Sequence, residues 1–100
     1  MAHCYILFSK KLNGFYIGSS LLSPADRLDR HLHKYYGERK YTSKASDWVI
    51  YYIINCDSLD QARKIEKHIK SMKSKKYIQN LKVYPEIADG LLAKYSTTPN

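Results

Sequence analysis

The chain has 100 residues, 44% of them hydrophobic, enough for one modest core and too few for a second domain. A formal charge of +8 points to an anionic partner, nucleic acid first and an acidic membrane surface second. No apolar run approaches the roughly 20 residues of a membrane-spanning helix, and Met1 to Ser9 lacks the basic region of a secretory signal, so an intracellular protein, cytoplasmic or nucleoid-associated, is expected.

Cys4-Tyr5-Ile6-Leu7-Phe8 is apolar and strand-forming, Asn13-Gly14 suits the positive φ angles of a hairpin turn, and Phe15-Tyr16-Ile17-Gly18 follows as a second strand. The pairing sets Tyr5 and Tyr16 on neighbouring strands, with the face of each left open. Ser23-Pro24 supplies a cap and a first helical position, with Asp26 in the first turn, and predicts a helix from Pro24 to Tyr36 ending at Gly37. Its apolar stripe is Leu28, Leu32 and Tyr35, and Arg27 and His31 lie one turn apart at the stripe's edge.

Residues 37–47 are polar and charged and read as a basic loop, after which Trp48 to Ile54 forms an unbroken apolar run fit for the central strand of a small sheet. Ser58 and Gln61 have the spacing of a capping box and open a helix with apolar positions Leu59, Ala62, Ile65, Ile69 and Met72. At about 100° per residue Glu66 falls inside that arc, so a carboxylate is turned toward the buried side. A lysine cluster (Lys70, Lys73, Lys75, Lys76) follows, then a short amphipathic stretch around Ile87, Leu91 and Leu92. Cys4 and Cys56 lack the number and spacing of a zinc site or a disulfide framework and read as reduced core thiols. His33 and His68 are assigned to the surface.

Cys4-Tyr5-Ile6 followed by Tyr16-Ile17-Gly18 resembles the paired motif of the GIY-YIG nucleases. Arg27 with His31, the strand at Trp48–Tyr52, and Ala62, Glu66, Ile69 and Lys70 are similar to that family's later elements, in order and over Tyr5 to about Leu81. The likeness is greatest to its short, free-standing members. The resemblance implies an α+β fold, a small three-stranded antiparallel sheet flanked by helices, here as one domain over 1–100 with a core of about 3–82 and a helical tail at 83–95. It implies an endonuclease that hydrolyses DNA at one divalent metal, Mg²⁺ or Mn²⁺, with Tyr5, Tyr16, Arg27, His31 and Glu66 catalytic and Glu66 the metal ligand. His3 and Cys4 replace the glycine and isoleucine that usually precede the first tyrosine. Ser19 stands where repair-type members carry a lysine, and His31 is the candidate to take over that lysine's part.

The chemistry is consistent with these residue types. One carboxylate can hold one Mg²⁺ whose other positions are filled by water and phosphate. An arginine forks onto phosphoryl oxygens, and a histidine one turn away can relay a proton. A tyrosine that serves as general base needs its pKa brought down from roughly 10 by nearby cations; which tyrosine does so is open. Arg39, Lys40, Lys44, Lys70, Lys73 and Lys76 are candidates for a DNA-backbone track. Each residue also has a plain structural reading: strand packing for the tyrosines, a solvated helix edge for Arg27 and His31, and a helical ion pair with Lys70 for Glu66. A catalytically silent nucleic-acid-binding module is the alternative function, and a homodimer or a protein partner for targeting is left open.

Overall fold

From Cys4 to Phe8 the first strand carries apolar side chains on both faces, and that decides the architecture. In the computed structural model, which describes residues 2–21, 23–32 and 44–96, strand β1 (Ala2–Ser9) pairs antiparallel with β2 (Gly14–Ser20) on one side and with β3 (Val49–Cys56) on the other. The order is β2-β1-β3, so β1 is central. The Trp48–Ile54 run, predicted as the central strand, is therefore an edge. β1 is the strand covered on both faces, with Cys4, Tyr5, Ile6 and Leu7 all fully buried. β3 leaves Val49 and Ile53 exposed and spends Tyr51 at a register shift opposite Ile6 and Leu7. The hairpin turn also differs from the two-residue prediction. Lys10 to Asn13 make the turn, Asn13 N donates to the Lys10 carbonyl at 3.2 Å, and Asn13 alone among non-glycine turn residues takes a positive φ, 48°, while Gly14 already pairs with Ser9.

Helix α1 (Pro24–Leu32) opens as predicted, with Ser23 Oγ accepting from Asp26 N at 3.2 Å. Its predicted continuation to Tyr36 lies outside the described residues. Helix α2 (Leu59–Met72) is capped by Ser58, whose Oγ accepts from Gln61 N at 3.1 Å. Gln61 also ties the cap to the rest of the fold through its side chain. It is buried, accepts from Asp57 N at 2.7 Å and donates to the Leu92 carbonyl at 2.9 Å, tying the last described helix back to α2. Met72, predicted for the apolar face, is 45% exposed, because α2 ends there and the chain turns at Lys73, φ 49°. Helix α3 (Lys75–Val83), capped by Ser74, was not foreseen within the lysine-rich stretch; helix α4 (Pro85–Lys94) covers the predicted amphipathic tail.

Two apolar clusters lie on opposite faces of the sheet. Cys4, Ile6, Ile17 and Ile54 meet Ala62, Ile65 and Ile69 of α2, with Ile78, Leu81, Ala88 and Leu91 closing the layer from α3 and α4. Tyr5 and Leu7 point the other way, into a smaller cluster with Ala45 and Trp48 that Leu28 and Leu32 of α1 cover. Both cysteines are free and buried, as predicted, and burial above all raises the pKa of each thiol. Among the described residues no helix is long and apolar enough to cross a membrane.

Candidate active site

Strand alternation puts Tyr5 and Tyr16 on the same face, the one α1 covers, with ring centroids 6.3 Å apart and planes tilted by 41°. They are not equivalent. Tyr5 is fully buried, whereas Tyr16, on the edge strand β2, is half-buried. Tyr5 stands opposite Gly18 in the register, and its phenol lies across the glycine. A Cβ at position 18 would come within 2.9 Å of Tyr5 Cε1 and closer still to Cζ and Oη. Gly18 thus makes the space in which the first phenol lies, a reason for the Tyr-Ile-Gly sequence that appears only once the register is known.

Glu66 comes from the opposite layer. It lies on α2, which packs on β1 and β2 through Ile65 and Ile69. Its carboxylate reaches the outer edge of the sheet, where Oε1 accepts from Ser19 Oγ at 2.6 Å and Oε2 accepts from Lys70 Nζ at 2.6 Å. Ser19 alternates with Gly18 and so faces α2, beside Cys4 in the register. The Lys70 ammonium lies 6.0 Å from the centroid of the Tyr16 ring. Glu66 and Tyr16 are therefore brought to one rim, the outer edge of β2, from two sides of the sheet. The predicted burial of Glu66 is met, since its side chain is 21% exposed, and so is the plain pairing with Lys70.

Arg27 and His31 lie one turn apart on α1, the helix whose Leu28 and Leu32 cover the tyrosine face; their side chains fall outside the described residues. Arg39 and Lys40 likewise lie outside the described residues. Lys44 is exposed just ahead of buried Ala45, and Lys73 and Lys76 are exposed where α2 gives way to α3. Next to the rim, a groove of about 370 Å³ runs between the hairpin turn and the α2–α3 junction, with Phe15, Ile17 and Ile69 among its walls and Lys70, Lys73 and Lys75 along it. Lys75 Nζ donates to the Asn13 carbonyl there.

Two features escaped the sequence reading. Ser19 is the donor that orients the carboxylate, and a serine after a glycine in a strand carries no signal of it. His68, assigned to the surface, is half-buried with Nδ1 2.9 Å from the Tyr95 hydroxyl. That contact belongs to the α2–α4 packing, away from the rim, and burial followed by the neighbouring Tyr95 raises the Tyr77 pKa in the same cluster.

Among the described residues no group of three or more His, Cys, Asp or Glu side chains is arranged to hold a metal ion. A single-carboxylate site asks for less. A carboxylate has about four acceptor positions, of which the two hydrogen bonds seen here use two. Glu66 thus retains oxygen lone pairs for a hard divalent cation that completes its shell with water. Residues 1–79 match the family model described as the GIY-YIG catalytic domain. No curated protein and no solved structure matches the chain.

Proposed function

Since the chain belongs to the GIY-YIG catalytic-domain family, a family of nucleases that act on DNA, we propose that it is a divalent-metal-dependent endonuclease that hydrolyses DNA phosphodiester bonds at the outer edge of β2. The observation that carries this reading is the meeting of Tyr16 and Glu66 at one rim with Lys70 within reach of both. Isolated structural roles for the two residues give no reason for them to converge from opposite layers.

Glu66 would hold the ion. When bound, Mg²⁺ or Mn²⁺ supplies charge to the phosphoryl oxygens and the leaving oxygen. The residues of the chain do the rest. Tyr16, on the edge strand and half-buried, takes the proton of the attacking water, and fully buried Tyr5, its ring centroid 6.3 Å from that of Tyr16, is the residue that positions it. Arg27 forks onto the non-bridging oxygens and His31 relays a proton, both from α1. The backbone of the DNA follows Lys73 and Lys76, with Arg39, Lys40 and Lys44 extending the track, so affinity falls as salt rises. Preference among substrates comes from DNA shape, a dimer or a partner.

Labelled duplex, flap, branched and single-stranded DNA incubated with Mg²⁺ or Mn²⁺ tests this directly. Product is expected from the wild type only in metal and from Glu66→Ala not at all, with DNA affinity retained. Normal cutting by Glu66→Ala overturns the site. Tight, salt-sensitive binding with no product from either protein would instead mark a silent binding module.

A further inference from the structure

We propose that Ser19 and Lys70 set the metal affinity of Glu66 in opposite directions: Ser19 is a positioning residue that fixes the carboxylate, and Lys70 is an internal cation that a divalent ion displaces from it. The inference rests on the reading of Glu66 as the metal ligand.

The two oxygens of Glu66 have chemically different partners at the same distance, 2.6 Å. The partner of Oε1 is the neutral hydroxyl of Ser19, on a strand held to β1 by its pairing with Cys4. A neutral donor orients a carboxylate and leaves its negative charge, and a second lone pair on the oxygen, available to a cation. Oε2 has a full positive charge against it, carried on a four-carbon arm that is 50% exposed. An ammonium held by one carboxylate at helical spacing is a weak and mobile partner, and it competes with any cation for the same oxygen.

The same helix contains an internal comparison. Lys64 and Asp60 also stand four residues apart, at 3.1 Å, with side chains 54% and 63% exposed. That pair is an ordinary solvated one. The Glu66 carboxylate differs in being only 21% exposed and in being gripped from β2. Once released, Lys70 stays at the rim, because the electron-rich face of Tyr16 lies 6.0 Å from its ammonium. The positive charge of Lys70 is thereby kept beside Tyr16, the proposed base.

Manganese titrations of the full chain, followed by the electron-spin resonance of free Mn²⁺, read this without any cleavage, and thermal melts confirm folding of each variant. Ser19→Ala is expected to weaken Mn²⁺ binding about tenfold, and Ser19→Thr, which keeps the hydroxyl, to restore it. Lys70→Met is expected to tighten binding by about three- to tenfold, while Lys64→Met, which removes the same charge from the same helix, leaves it unchanged. Binding by Lys70→Met that is no tighter than wild type, or by Ser19→Ala that is no weaker, overturns the proposal. Glu66→Gln separates the two levels. Wild-type affinity in that variant sinks the metal-ligand reading itself, whereas lost affinity in Glu66→Gln with wild-type values in Ser19→Ala and Lys70→Met sinks this inference alone.

Discussion

The two faces of the sheet take equal shares of the β1 side chains and carry different loads. On one face Cys4 and Ile6 meet three helices, in a cluster where isoleucines of α2 and α3 supply much of the bulk. On the other, Tyr5 and Leu7 have a small cluster with Ala45 and Trp48 and a partial cover from α1. The first face is built to exclude water. The second keeps a phenol on an edge strand and a glycine beneath its partner. Stability and chemistry are thus divided across one strand, and they touch only at the rim of β2, where Glu66 comes over from the stable side.

The sharpest way to break this comparison is Tyr16→Phe, which removes one hydroxyl from the thin face. Cleavage should fall by about 10²–10⁴-fold while the melting temperature stays close to wild type; an equal loss of both would mean the phenol holds the fold together. On the thick face the opposite is expected. Ile65→Ala removes a fully buried side chain and should cost about 2–5 kcal/mol in urea unfolding, with metal-dependent cutting preserved in the folded fraction. Gly18→Ala lies between the two. The new methyl drives into the Tyr5 phenol, with an expected loss of about 1–3 kcal/mol and a fall in cleavage larger than that loss explains.

The smallest effect concerns the pin at the end of the hairpin. Asp47 accepts from Ser9 Oγ at 2.6 Å and from Lys11 N at 2.9 Å, and Ser9 Oγ accepts from Leu12 N at 3.1 Å. The Ser9 hydroxyl first, then the Lys11 amide, hold the Asp47 carboxyl below its usual range. A depressed folded value means the contribution is present above the unfolded pKa near 4 and is lost as the pH falls through the folded value. Amide protection of Lys11 and Leu12 should therefore decline below about pH 4, and Asp47→Asn should remove that dependence.

Much of this was legible in the residues themselves. The hairpin, the Ser23 and Ser58 caps, the α2 apolar face and the inward turn of Glu66 follow from local periods and capping chemistry, which act over a few residues and need no partner. Tyr5, Tyr16, Arg27, His31 and Glu66 are singled out as candidates by spacing in a pattern, not by geometry. Three things resisted. Gln61 is polar in a position that reads as a cap, yet it is buried because α4 returns to offer the Leu92 carbonyl. Met72 is apolar at the right angle, yet the helix ends beneath it. Ser19 stands at a position the family resemblance marks, yet nothing in its neighbours shows it as the donor to Glu66.

The sequence by itself determined the elements other than α3, the tyrosine pair on adjoining strands and the acid turned inward, since each depends on the order of neighbours along the chain. Tertiary structure alone decided that β1 is central, that Tyr5 lies buried over Gly18 while Tyr16 stands at the edge, and that Glu66 is held between Ser19 and Lys70. These depend on which distant segments dock, and that choice is made by the burial of the whole apolar surface, which no short window of residues contains.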